Sequence, residues 1–329
     1  MTVYNDLRFL DAAVDSILQQ EFRDLELVIV DDGTGQDAIF EALERRDPRI
    51  RLVINPANLG TAAAANRGIE AARADIIVRL DADDVAEPTR IGRLVAALAD
   101  DPQLGLVGSW CTVTDEAGQP HGVAHMPQTD LEIRWTILFH NPFYHSTVAF
   151  RRSCFEAAGC YKIDEWVSQD HYLWFHMLPL CRARNIAEPL VRYRMNPRGL
   201  TAMNANNARN RTHPIRETLW ARLGLAYDLY DDAFASDLSQ FVRGADIAVS
   251  ERRAPAYHVI LTALRAFLAA PQPFARAEDA AIARQMARTI VARVLAAPPA
   301  DLREMLMICR LCWPIDRRAA IDAMMRRLA

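Results

Sequence analysis

The chain has 329 residues, 51% of them hydrophobic and 24% charged, with a net charge of -4. That length exceeds the usual single-domain mode, so one α/β domain plus an extension is expected, and the balance of charge lacks the basic footprint that nucleic-acid binding requires. No run of eighteen apolar residues and no secretory leader pattern occurs, which points to a cytoplasmic protein, and six scattered cysteines in a chain this long read as buried free thiols.

Helical and strand patterns alternate through residues 1 to about 110, as a parallel sheet demands. Apolar residues Leu10, Ala13, Val14, Ile17 and Leu18 line one face of a helix over Phe9 to Gln20. Leu25 to Val30 is a nearly continuous apolar strand of the kind buried on both faces. Asp31-Asp32-Gly33-Thr34 ends it, Asp37 to Arg45 is a helix, and Ile50 to Ile54 is a strand. Asn58-Leu59-Gly60 turns the chain into a helix over Ala62 to Ala72.

Strand Ile76 to Leu80 then ends in Asp81-Ala82-Asp83-Asp84. Carboxylates this close repel one another unless a hard divalent cation neutralises them, and Mg²⁺ or Mn²⁺ completes its shell with water and phosphate oxygens. A nucleotide diphosphate is the matching partner. In open α/β sheets ligands collect outside the carboxyl ends of strands, which places Asp31, Asp32, Asp81, Asp83 and Asp84 on one rim.

A strand over Leu104 to Val113, a turn region, and a strand over Ser146 to Phe150 follow. A helix then runs from Ser168, placed as its cap, toward Met177, and a last strand spans Pro189 to Met195. From about 210 the composition shifts to Ala, Leu and Arg, giving four to six helices broken at Pro255, Pro271, Pro273, Pro298, Pro299 and Pro314. Their polar faces carry Arg284, Arg288, Arg293, Arg303, Arg310, Arg317, Arg318, Arg326 and Arg327, a pattern that serves either as a solvated face or as a contact for an anionic membrane surface. Cys309-x-x-Cys312 lies in a helical pattern with no second ligand pair, so neither metal nor redox use is expected there.

Several blocks, in this order, resemble the family 2 glycosyltransferases of the GT-A fold. They are Val3-Tyr4-Asn5, Ser16 to Gln20, Leu27 to Thr34, Asn58-Leu59-Gly60 with Asn66-Arg67-Gly68-Ile69, Arg79 to Asp84, Asn141-Pro142 with His145-Ser146-Thr147, and Gln169 to Trp174. The resemblance covers roughly residues 2 to 200. It implies a GT-A domain over 1–208 with a mostly parallel central sheet, and an all-helical region over 209–329.

The resemblance further implies an inverting, metal-dependent transfer of one sugar from a nucleotide-sugar, UDP-linked, to a glycan or lipid-linked acceptor in surface polysaccharide synthesis. On the matching positions, Thr2 and Asp32 contact the nucleobase, Asp81 the ribose and Asp83 the metal, Mn²⁺ or Mg²⁺. Asp84 supports them, and Asp81 is a further candidate for support of the metal. Asp170 is the general base, held ionised by a helix N-terminus. His145 and Gln169 fall on the acceptor side, and Trp166 is a wall residue or a sugar platform. The expected location is the cytoplasm, with peripheral contact at the inner face of the cell membrane through the C-terminal helices, and with scope for homo-oligomers.

Three departures stand out. The chain opens at Met1-Thr2-Val3-Tyr4, short of the family's first strand, which points to a shortened strand or a misassigned start. Gln169 replaces an acidic residue, and Asn196 stands where many members place a histidine. With no Q-x-x-R-W block and no spanning helix, a processive synthase is not expected. Two alternatives stay open: a nucleotidyltransferase with a related sheet, disfavoured because Asn5-Asp6-Leu7-Arg8 supplies no Gly-rich loop, and a non-catalytic protein that binds a nucleotide-sugar or a partner.

Overall fold

A computed structural model describes residues 1–164, 168–199, 202, 215–225, 235–242, 250–273, 275–296, 302–312 and 314–321. Trp166 lies outside them. The chain divides into two compact units, the first comprising Met1–Ile133 and Asn141–His213, the second Arg134–His140 and Pro214–Ala329.

The first unit begins with β1 (Thr2–Val3), α1 (Leu10–Leu18), β2 (Leu27–Asp31), α2 (Asp37–Arg46), β3 (Ile50–Ile54), α3 (Thr61–Ala71) and β4 (Ile76–Val78). Strands β1, β2 and β3 pair in parallel, with Thr2 opposite Val30 and Asp31 opposite Ile54. The continuous apolar run of β2 is explained by its place between two strands, where Ile29 and Val30 are sealed from solvent. The stripe expected on α1 is the face it buries, through Leu10, Ala13, Val14 and Ile17. As the chain's opening residues suggest, β1 is short. Beside it an apolar cavity of about 320 Å³ is lined by Met1, Ile17, Val28, Ile77, Leu80 and Ile91.

A second, mixed sheet follows from β5 (Val85–Ala86), β6 (Leu104–Thr114), β7 (Pro120–Ala124), β8 (Ala149–Arg151) and β9 (Arg182–Arg194), ordered β4-β8-β6-β9-β5 with β7 on β6. Parallel pairing continues here only between β6 and β9, while β4, β5, β7 and β8 join antiparallel. Helix α4 (Arg90–Asp100) covers this sheet with Leu94 and Leu98, and α5 (Asp130–Thr136), α6 (Arg152–Ala157) and α7 (Gln169–Met177) complete the unit. Two local expectations are corrected. Ser146 and Thr147 belong to a single 3₁₀ turn, His145–Thr147, that precedes β8, and Ser168 makes no side-chain cap to α7.

Gln20 joins three elements from the end of α1. Its amide donates to the carbonyls of Ser16 (2.9 Å) and Glu87 (2.7 Å), and its oxygen accepts from Ile91 N–H at 2.9 Å. The bonds to Ser16 and Ile91 are buried, so no water can substitute for them.

In the second unit, Trp135 and Phe139 meet edge to face at 4.8 Å, Trp135 meets Phe267 at 5.5 Å, and the Trp220 indole donates to the Leu138 carbonyl at 3.2 Å. Helices Ser250–Ala269, Asp279–Ala296 and Leu302–Cys312 pack together, and the first runs through Pro255 rather than breaking there. Pro255 lies near that helix's N-terminal end, where the loss of a ladder bond costs least. Arg284, Arg288, Arg310, Arg317 and Arg318 are exposed. Arg293 is not part of a free basic face, because it donates to the Phe241 carbonyl at 2.6 Å and stacks on that ring. The side chains of Arg303, Arg326 and Arg327 fall outside the description. Cys309 and Cys312 are buried free thiols. Among the described residues no helix is long and apolar enough to cross a membrane.

Gln20→Leu keeps the volume of the side chain but orphans the Ile91 N–H and leaves the Glu87 carbonyl with the Arg90 N–H alone. We expect it to destabilise the chain by about 2 kcal/mol, seen as a lower urea midpoint at constant slope. An unchanged midpoint would show that the three elements do not depend on this amide.

Candidate active site

The acidic segment leaves β4 through Arg79 and Leu80 and is fixed from several sides. Asp81 N–H donates to Ser146 Oγ at 3.0 Å, and its carboxylate faces the Arg79 guanidinium at 3.4 Å and His145 Nδ1 at 3.5 Å. Burial raises the pKa of Asp81, but the His145 ring and Arg79 outweigh it and hold the carboxyl well below the usual carboxylate range. Asp81 is a committed anion.

Its neighbours are pushed the other way. Burial and the charge of Asp81 raise Asp83, with the Asn196 amide, 3.0 Å from Asp83 Oδ2, pulling back. Burial, then Asp83 and Asp81, raise Asp84 well above the ordinary value, although it accepts the Arg194 N–H at 2.7 Å. Arg194 further donates to the Asp83 carbonyl at 2.9 Å and to the Glu116 carbonyl at 2.7 Å, with its guanidinium over Phe9. Strand β9 thus delivers both Arg194 and Asn196 to the acidic turn.

This donor set suits a hard divalent cation in one specific way. Among the described residues no three His, Cys, Asp or Glu side chains form a metal cage. Asp83, partly exposed and with only one side-chain donor on it, can supply a single carboxylate ligand, and a phosphate-rich ligand and water would supply the rest.

Asp32 is engaged by the Asn55–Gly60 loop. It is buried, and its Oδ1 accepts from Asn55 Nδ2 (2.7 Å) and Leu59 N–H (2.9 Å) while Oδ2 accepts Gly60 N–H at 3.0 Å. The carboxylate braces the loop that opens α3, and Arg67 in turn bonds Asn55. Asp31 is also buried and accepts the Thr34 N–H at 2.9 Å, so the second aspartate shapes the turn rather than the rim. Gly33 needs to be glycine, since its φ is +78° and a Cβ would strike the backbone of Ala57. Thr2 opens β1 opposite Val30, and Tyr4, just past the strand, is 47% exposed.

Asp170, in the first turn of α7, accepts Asn141 Nδ2 and its neighbour's His171 N–H, each at 2.7 Å. Burial raises its pKa, against the pull of His145, His171 and Asn141. The ionising influence expected of the helix N-terminus is therefore overruled by desolvation. Gln169 is buried, and its Oε1 has no hydrogen-bond partner.

His145 ties the two halves together. Its Nδ1 faces Asp81, its Nε2 lies 2.8 Å from the Tyr161 hydroxyl, and its charge acts on both Asp81 and Asp170. Tyr161, which sequence reasoning missed, is clamped by Asn66: the amide accepts Tyr161 N–H at 3.0 Å and donates to Tyr161 O at 2.8 Å. The signal available was the turn before it, where Gly159 and Cys160 both have positive φ. Arg90 was also missed. Fully buried, it donates to the carbonyls of Arg79 (2.5 Å) and Ser146 (2.6 Å) beneath the acidic turn.

Residues 1–158 match the family model described as glycosyl transferase family 2. An uncharacterized glycosyltransferase of Haemophilus influenzae is 26% identical over 204 residues, which cover 59% of this chain and 63% of that protein. The amylovoran biosynthesis glycosyltransferase AmsE of Erwinia amylovora is 28% identical over 188 residues, 56% of this chain and 70% of that protein. The chain thus spans less than two thirds of the first relative's length. Among solved structures, the mannosyltransferase PcManGT of Pyrobaculum calidifontis, solved with GDP-Man and Mn²⁺, superposes with a TM-score of 0.52 at 19% identity, over 99% of this chain and 85% of that one. That likeness bears on the fold, which is the GT-A type expected from the sequence. Residues 1–158 thus resemble glycosyl transferase family 2.

Proposed function

We propose that the protein moves one sugar from a nucleoside-diphosphate sugar to a glycan or lipid-linked acceptor by a single displacement that inverts the anomeric carbon. The observation that carries this reading is that Asp81, at the acidic strand end, and Asp170, at the start of α7, both answer to one imidazole, His145. A donor held at the first and an acceptor activated at the second would meet there.

On the donor side, Asp81 stays ionised and can accept ribose hydroxyls. Asp32 acts indirectly, by fixing the Asn55–Gly60 loop against which Thr2 and Tyr4 can seat a base. Asp83 would hold the divalent cation, which when bound neutralises charge on the departing diphosphate. Asn196 steadies the Asp83 carboxylate and competes with the metal for one oxygen.

On the acceptor side, Asp170 takes the hydroxyl proton as the oxygen attacks. Its raised pKa makes it a stronger base than an exposed aspartate. Asn141 and the His171 N–H fix its orientation. The name of AmsE, an amylovoran biosynthesis enzyme, supports a surface-polysaccharide acceptor. A lipid-linked acceptor would place the chain at a membrane, where exposed Arg284, Arg288, Arg310, Arg317 and Arg318 suit anionic headgroups.

Three outcomes are expected. In thermal melts across a panel of UDP- and GDP-sugars, the true donor should stabilise the chain more with Mn²⁺ than without, by about 2.7 kcal/mol at a hundredfold excess over Kd, and Asp83→Ala should remove the metal-dependent part. A shift that survives this substitution would sink the metal assignment. Asp170→Asn should keep donor binding yet lower transfer at least about 100-fold, and full activity in that variant would remove the base. Because the ionised carboxylate is the active form and its pKa is raised, kcat/KM should fall with decreasing pH along a limb centred above the ordinary aspartate value of 3.8. His145, Asp81 and Tyr161 face this group, and a limb at or below the ordinary value would mean that desolvation does not set the base.

A further inference from the structure

Away from the acidic turn, two thiols share one small space. Cys154 stands in α6 and Cys181 just before β9, and both side chains crowd over Gly105 at the start of β6. A methyl group at Gly105 would meet the Cβ and Sγ of Cys181 at 2.5 Å and the Sγ of Cys154 at 2.6 Å. The glycine therefore makes the room in which the two sulfurs face each other.

The two thiols differ in the way a reactive pair must. Cys181 is 3% exposed, and its one thiol hydrogen has two acceptors in reach, the Met177 carbonyl at 3.4 Å and the Cys154 sulfur. Cys154 is partly exposed. Its pKa is lowered to about 6, mainly by the hydrogen bond from Cys181, with Ser153 and Arg151 assisting against burial. Burial pushes Cys111 and Cys312 up to about 12, and Cys160 is also raised. A thiolate next to a thiol and reachable from solvent is the arrangement that oxidants select.

We propose that Cys154 and Cys181 are an oxidation site that closes a disulfide when the protein meets hydrogen peroxide. The Cys154 thiolate attacks the peroxide oxygen, the O–O bond breaks, and sulfenic acid forms as one water leaves. The Cys181 sulfur then displaces the hydroxyl from that sulfenic acid, forming the S–S bond and releasing a second water. Two thiols are oxidised and one peroxide is reduced. The ring so closed, from 154 to 181, contains Tyr161 and Asp170, so the oxidised chain has its acceptor-side segment tethered at both ends. The proposal rests on the thiols alone and does not depend on the sugar-transfer reading.

The test treats the intact chain with hydrogen peroxide, alkylates the remaining thiols, and maps non-reduced peptides by mass spectrometry. We expect two of the six thiols to be lost, one linked peptide joining Cys154 to Cys181, reversal by dithiothreitol, and a Tm raised by a few degrees in the oxidised form. Cys154→Ser, at the partly exposed position, should retain its five thiols under the same dose. The proposal is overturned if all six thiols of the wild type survive, if Cys154 is recovered as sulfinate while Cys181 is still alkylated, or if the linkage involves Cys160.

Discussion

Repulsion among Asp81, Asp83 and Asp84 has to be met by whatever surrounds the end of β4, because carboxylates crowded within four residues and partly buried cannot all stay charged without compensation. Much of the compensation is built from below and behind. Arg90 lies under the turn, where burial lowers its pKa to about 9 against the opposing charges of Asp84 and Asp81. Its two carbonyl bonds join the end of β4 to the His145–Thr147 turn, so the cation that balances the acids also sets the height of the histidine. Arg194 does the corresponding work from β9. What is left uncompensated is the exposed side of Asp83, and that residual charge is what an incoming cation would meet.

The imidazole between the two halves has its orientation fixed by a residue far from it in sequence. Burial pushes the Tyr161 hydroxyl up, so it remains protonated and can donate to His145 Nε2. The other nitrogen, Nδ1, faces the ionised Asp81 at 3.5 Å. Asn66 holds Tyr161 through both of its backbone groups, and this gives a reason for the asparagine in the motif after Leu59-Gly60. A helix on the donor side thereby positions a ring on the acceptor side.

The sequence was most legible where periodicity and burial coincide. The strand over Ile50 to Ile54 and the helix over Asp37 to Arg46 follow from apolar spacing alone, as does the buried face of α1. Strand β9 was half visible. Its first residues, Arg182 to Glu188, alternate charged and small side chains, and they become a strand only because β6 runs beside them. The parallel expectation applied to β1, β2 and β3, but short antiparallel strands such as β8 have no local signature. In the site, the acidic turn announces itself by composition. Arg90, Tyr161 and Asn196 do not, since each acts through a partner between 11 and 113 residues away, a distance that no local pattern encodes.

The aspartates that look alike in sequence are separated by how many hydrogen-bond donors each already holds. Asp32 accepts three, one from a side chain and two from backbone, and is spent on holding a loop. Asp170 accepts one on each oxygen, enough to aim it while lone pairs remain for a proton. Asp83 carries one amide donor on a single oxygen and is partly open to solvent. A ligand cannot pull a carboxylate from several buried donors without orphaning them, whereas displacing one partly exposed amide costs little. The least committed carboxylate, Asp83, is therefore the one a cation could engage at least cost, while Asp32 holds the Asn55–Gly60 loop in place.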